Sequence, residues 1–347
     1  MSDTDILFER RGALGLITLN RPQAMNALTH DMALRLERQL DLWRDDDAVA
    51  VVAIRGAGEK AFCAGGDIRV LYEAGKEDGS ANFPFYADEY RLNVKIKRYP
   101  KPYVAFMDGV VMGGGVGVSI HGACRIATER TLFAMPETGI GLFPDVGGTW
   151  FLPRLPGELG LWLGLTGTRI KGKDAVAVGV CDAFVASDQI DKQIEQLAEG
   201  GWRALGDGRQ MAESGLDVSS DGFPLQQEVD RHFGGDSLEA VLENLRRSET
   251  EWGAKQREII LSKSPYCTRL AFRQIREGAK LDFEDCMRLE YRLARACMTH
   301  GDFFEGVRAL IIDKDNAPKW SPSTLDAVTD AMVDAAFSDL GDEELAL

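Results

Sequence analysis

The chain has 347 residues, 45% of them hydrophobic, and a formal net charge of −15. That length and apolar content allow two or three packing units with an ordinary buried core, while the acidic balance argues against a nucleic-acid partner, which requires a basic face. There is no apolar run of about 18 residues, so no membrane span is expected, and Met1–Arg10 lacks the basic-then-apolar order of a signal peptide, which reads as a cytoplasmic start.

The N-terminal half alternates strands and helices. Ile6–Glu9 and Leu14–Asn20, split by Arg11-Gly12, read as a hairpin. Thr29–Asp45 follows, with Met32, Leu36, Leu40 and Trp43 spaced to share one helix face. Val49–Arg55 and Tyr103–Met107 are buried strands, and Cys124–Thr128 and Leu132–Ala134 are shorter ones. Repeated strand, loop and helix units imply an α/β fold with crossover connections. Pro153–Pro156 closes this region and helical patterns take over from Gly157. Residues 200–235 are polar and rich in Gly and Asp, which reads as a loop or insertion. From Ser237 the pattern is almost wholly helical, interrupted at Ser264-Pro265 and around Gly278–Phe283. The expected division is an α/β core over residues 1–200 and a mainly helical region over 201–347.

The six cysteines are scattered without a Cys-x-x-Cys pair and mostly in apolar surroundings, which suits reduced, buried thiols. Four histidines without an i, i+4 pair make a His-rich metal site improbable, and no metal is expected.

Chemistry concentrates in Phe133–Gly148, where Glu137 and Asp145 stand among apolar, Gly and Pro residues. A carboxylate desolvated by such neighbours is costly unless it has a partner or a task. Two on one loop can serve as base or nucleophile and as acid. The structural alternative is that Asp145 caps the helix starting near Gly147 and Glu137 pairs with a distant Arg.

Two glycine loops bear on that choice. In Ala61-Phe-Cys-Ala-Gly-Gly-Asp-Ile68, Gly65-Gly66 lets the backbone turn and present an N–H, although Asp67 could simply cap the next helix. In Met112-Gly-Gly-Gly-Val-Gly-Val-Ser-Ile-His121, three glycines open a helix whose N–H groups favour a developing negative charge. Neither the phosphate-loop nor the dinucleotide fingerprint is matched, and His121 stands where a nucleophile elbow needs Gly, so Ser119 reads as a packed helix residue. Cys63 reads as buried filler, Trp43, Trp162 and Trp202 as packing, and Tyr291–Arg295 as a solvated helix face. Two backbone donors plus a carboxylate loop are the parts for stabilising a thioester enolate or a tetrahedral oxyanion.

Asn20–Leu28, Ala61–Asp67, Pro102–Gly115, Met135–Thr138, Gly147-Gly148 and Leu165–Gly167 resemble the crotonase superfamily in order and spacing. The resemblance implies a ββα spiral core with a helical C-terminal region, an acyl-CoA substrate, and an oxyanion hole made by the N–H groups of Gly66 and Gly114. Trimers are frequent in the superfamily, so a homo-oligomer is open for this chain. The superfamily's hydratases carry a carboxylate where this chain has Gly117. The branch that hydrolyses 3-hydroxyisobutyryl-CoA, in valine breakdown, instead keeps the residue matching Glu137 and adds one matching Asp145. Gly301–Trp320 also resembles that branch. By resemblance, Glu137 and Asp145 are catalytic, Glu89, Ala64, Asp67 and Ile68 contact substrate, and no cofactor is needed because CoA arrives within the substrate.

Overall fold

The computed structural model describes residues 4–200, 216–217 and 222–347. They fall into two compact units that interleave in sequence, the first formed by the described residues within 1–66, 91–134 and 169–223 and the second by 67–90, 135–168 and 224–347.

The first unit is built on two sheets. Strands β1 (Ile6–Arg11) and β2 (Leu14–Leu19) form the expected antiparallel hairpin. Next to β2 come β3 (Val51–Gly56), β5 (Tyr103–Met107), β7 (Cys124–Ala127) and β10 (Ala183–Phe184), all parallel. The second sheet takes β4 (Ala61–Cys63), β6 (Val110–Val111), β8 (Leu132–Phe133) and β9 (Ile170–Lys171). The chain thus repeats one step three times. A strand in the first sheet (β3, β5, β7) is followed at once by a shorter strand in the second (β4, β6, β8), as expected for an α/β spiral core.

Alternate residues of the first sheet share one face by the two-residue pleat. Leu14, Leu16, Val51, Ala53, Val104, Phe106, Cys124 and Ile126 form that buried face, and Ile190, Ile194 and Leu197 of the helix Ile190–Ala198 cover it. The opposite face takes the helix His30–Arg44, capped by Thr29 and burying Met32, Leu36, Leu40 and Trp43. Because β5 is buried on both faces it reads as an unbroken apolar run.

The second unit is mostly helical. Leu238–Arg246, Glu251–Leu261, Pro265–Gly278 and Phe283–His300 break where the sequence suggests. Two expectations need correction. Helices do not simply take over after Gly157, since β9 and β10 return to the sheets, and strands of two residues are too short to show a period. Within residues 200–235 the helix Gln226–Phe233 buries Val229, His232 and Phe233, its polar residues being one face of an amphipathic turn pattern. The rest of that segment up to residue 221, including Trp202, lies outside the described residues apart from 216–217.

Candidate active site

Glu137 opens a single 3-10 turn, Glu137–Ile140, directly after Pro136, and is buried. The turn is pinned from several directions within the second unit. The Ser264 N–H donates to the Thr138 carbonyl at 3.0 Å, and the Leu142 N–H returns to the Glu137 carbonyl. Gly141 has φ +74°, and a Cβ there would lie 2.2 Å from the Asp302 backbone, so only glycine fits. A Cβ on Gly306 would lie 2.5 Å from the Ile140 backbone. Asp302 is itself buried, accepting from the Ser264 hydroxyl at 2.6 Å and from the Ser321 N–H at 3.0 Å. The Gly301–Gly306 stretch of the C-terminal signature therefore shapes the bed of the Glu137 turn. Lys263 lies over it, with Nζ 3.3 Å from where a Gly139 Cβ would be. Burial lowers the pKa of that lysine and the nearby Glu137 charge pushes it back up.

Asp145 occupies a strained bend. Val146 adopts φ +51° and Gly147 φ +91°, a region a β-branched residue enters only under constraint. The Asp145 side chain does not cap the helix Gly148–Phe151, whose N-cap is Gly147 without a side-chain bond. Its Oδ2 instead accepts from the Tyr90 hydroxyl at 3.0 Å, in a buried position. Tyr90 and Glu89 come from the helix Phe83–Lys97. Glu290, from Phe283–His300, accepts the Gly147 and Thr149 N–H groups, each at 2.8 Å.

Three buried carboxyls thus share one neighbourhood. Burial raises Asp145 to about 7, with the Tyr90 donation opposing it. Burial also raises Glu290 to about 8; the Gly147 amide opposes that and the Asp145 charge adds to it. Glu89 is pushed upward by burial and then by Asp145 and Glu290, and its Oε1 has no hydrogen-bond partner among the described residues. Like charges so placed cannot all ionise at neutral pH, a condition typical of sites that handle protons.

In the first unit the two glycine loops follow neighbouring parallel strands, β4 and β6. Buried Asn26 ties the first loop down, its amide donating to the carbonyls of Ala57 and Ala61 at 2.9 and 2.8 Å. The Ala64 N–H donates to the Met25 carbonyl and Leu28 N–H to Gly65. A Cβ on Gly65 (φ +116°) would meet the Met112 carbonyl at 3.5 Å, and one on Gly115 the Cys63 carbonyl at 2.2 Å. Gly66 and Gly114 are therefore on loops that touch, with Gly114 opening the short helix Gly114–Gly117, where amides lack intrahelical acceptors.

Ala64 belongs to that first loop. Asp67 stands at the N-cap of the helix Ile68–Gly75, as the structural reading has it, although its side chain makes no capping bond. Ser119 is buried with its hydroxyl donating to Gly115 and Val116 carbonyls, as a packed helix residue does, and all six cysteines are buried. The Tyr291–Arg295 run is not a free solvated face. Arg292 pairs with Asp339 and Glu344, and Arg295 with Glu343, fastening the C-terminal segment. Tyr90, Lys263 and Glu290 were not singled out from sequence. For Glu290 a signal exists, since it interrupts the buried stripe of Cys286, Met287, Leu293, Ala294 and Cys297.

The enoyl-CoA hydratase/isomerase family model matches residues 14–337. The chain belongs to this family. Among curated proteins, it is 49% identical to the mitochondrial 3-hydroxyisobutyryl-CoA hydrolase of Danio rerio, covering 99% of this chain and 92% of the relative. With the human protein of the same name the identity is 41%, over 98% of this chain and 90% of the relative. Among solved structures, a carnitinyl-CoA dehydratase from Mycobacterium thermoresistibile superposes with TM-score 0.92 at 41% identity, covering 99% of both chains. An enoyl-CoA hydratase from Rhodobacter sphaeroides 2.4.1 gives 0.91 at 36%, over 99% and 100%. The expected crotonase-type fold is thereby established. The cytoplasmic expectation is overturned, because these two hydrolase relatives are named as mitochondrial proteins; the missing signal-peptide order at Met1–Arg10 speaks only to secretion. Among the described residues no helix is long and apolar enough to cross a membrane.

Proposed function

We propose that the chain is an acyl-CoA thioesterase that hydrolyses 3-hydroxyisobutyryl-CoA, and by the same chemistry 3-hydroxypropionyl-CoA, to the free hydroxy acid and CoA. The observation that carries this reading is the near-full-length similarity, at 41–49% identity, to proteins named for that hydrolysis. Such a reaction belongs to valine breakdown, and it needs no cofactor because CoA is part of the substrate.

In this reading Glu137 is the catalytic carboxylate. It either removes a proton from water as water attacks the thioester carbon, or attacks that carbon itself to give an anhydride that water then opens. Both routes break the C–S bond, consume one water and release a thiol and an acid. The Gly66 and Gly114 amides receive the oxyanion, at about 3 to 4 kcal/mol per donor. Asp145, poised near neutrality, orients the substrate hydroxyl or the water and passes a proton to the departing thiolate. Glu89, with an unsatisfied buried oxygen, and Ala64, Asp67 and Ile68 supply contacts to the substrate.

Two similar structures bear lyase titles, so addition of water to an unsaturated acyl-CoA is the second reading. Gly117 opposes it, because that reaction's second carboxylate is missing there. A panel of 3-hydroxyisobutyryl-, 3-hydroxypropionyl-, 3-hydroxybutyryl- and crotonyl-CoA, followed with a thiol reagent and at the enoyl absorbance, separates the two. Thiol release from the first two substrates is expected. Hydration of crotonyl-CoA without thiol release sinks the hydrolase reading.

A further inference from the structure

Glu290 is wholly buried on a helix far along the chain from the catalytic loop, yet both its oxygens are spent on that loop. Oε2 accepts from the Gly147 amide and Oε1 from the Thr149 amide. Between Asp145 and these amides lies the left-handed bend at Val146 and Gly147. Just before Asp145 the chain is held again, where the Gln274 amide donates to the Pro144 carbonyl at 2.5 Å. Asp145 is therefore fixed on both sides, and its carboxyl direction follows from the bend that Glu290 holds. A serine or asparagine could satisfy one such amide at far lower desolvation cost. A carboxylate spans two.

We propose that Glu290 is the positioning residue of Asp145, clamping the Gly147 and Thr149 amides so that the Asp145 carboxyl is aimed at the 3-hydroxyl of the substrate. This rests on the hydrolase reading. The clamp also couples the two acids. The Asp145 charge raises Glu290, so Glu290 keeps its proton over the range in which Asp145 loses its own. Other titratable groups facing the pair are Glu89, Tyr86 and Tyr90 from Phe83–Lys97, and Cys286 and Cys297 from the helix of Glu290 itself.

The test compares wild type with Glu290→Gln and Glu290→Asp on 3-hydroxyisobutyryl-CoA and on isobutyryl-CoA, which lacks the hydroxyl. No thiol release by wild type defeats the hydrolase reading and not the clamp, which hydrogen exchange reads independently. For folded Glu290→Gln we expect kcat on the hydroxy substrate to fall about 10- to 100-fold, from misplacement of Asp145. KM stays nearly unchanged and preference for the hydroxy substrate collapses, while the pH–rate limb stays, because Glu290 is already largely protonated where Asp145 titrates. Glu290→Asp keeps the carboxyl but is one methylene too short to hold both amides, so preference falls there too. A folded Gln variant with unaltered preference overturns the proposal. Should neither variant fold, exchange of the wild-type Gly147 and Thr149 amides decides: protection like that of the adjoining helices supports the clamp, and rapid exchange overturns it.

Discussion

The Tyr90 hydroxyl donates to Oδ2 of Asp145 at 3.0 Å, both groups being buried. Through a side chain, it opposes burial's upward push on Asp145. Tyr90→Phe removes it, so the pH–rate limb set by Asp145 should move to higher pH. Loss of a buried hydrogen bond to a charged group should also lower kcat at pH 7 by about tenfold. An unmoved limb would show that Asp145 is not the titrating group.

Glu137 is the group on which turnover depends in the proposed chemistry. Glu137→Gln preserves shape and buries no new charge, so the fold should survive. Its kcat should drop by about 10³ or more, with binding of a non-hydrolysable thioether analogue retained in calorimetry. Wild-type-like turnover would remove Glu137 from the mechanism.

Asp145→Asn keeps an acceptor for Tyr90 but cannot exchange a proton. We expect a fall in kcat of about 10²-fold, together with a weaker preference for hydroxylated over plain acyl-CoA. A loss of rate with preference intact would assign Asp145 to proton transfer alone.

Stability should depend on pH in a defined direction. Asp145 and Glu290 titrate near 7 and 8 in the folded protein, against ordinary carboxylate values in the unfolded chain. Between about pH 4 and 8 the native state therefore holds more protons than the unfolded one, and stability falls as pH rises. Melting curves at pH 5 and 8.5 check this, and Glu290→Gln should flatten the slope. A melting temperature that climbs over this window contradicts the burial of these acids.

Gly115→Ala tests the contact between the glycine loops. Alanine is the better helix former by about 1 kcal/mol, but its Cβ would sit 2.2 Å from the Cys63 carbonyl. Backbone must move to accept it, so a net loss of about 1 to 3 kcal/mol is expected in urea titrations. A stabilised variant would mean that the two loops are not in register as described.

The sequence was most legible where burial is repetitive. β5 over Tyr103–Met107 was readable because a parallel strand buried on both faces is a solid apolar run. The helix His30–Arg44 was readable from one apolar stripe. The two-residue strands β9 and β10 carry no such signal. At the site, the chemistry of Glu137 and Asp145 was readable from their apolar loop, but the neighbours that hold and tune Asp145 were not. Tyr90 looks like any aromatic packing residue. Glu290 did leave a trace, an acid in a buried helical stripe, yet its partners, 141 and 143 residues away, could not be inferred from a local pattern. Arg292 and Arg295 looked solvated for the same reason, since their acidic partners lie over 45 residues downstream.

The interleaving of the two units has a consequence for how the protein is made. Residues 67–90 leave the ribosome early, but most of the unit they join, 224–347, is synthesised last. Until the helix Phe283–His300 has emerged, the Asp145 bend lacks its clamp and the segment carrying Glu89 and Tyr90 must wait for much of the unit it joins. Folding therefore has to close long loops late, and truncation from the C-terminal end should abolish the acid cluster well before it touches either sheet.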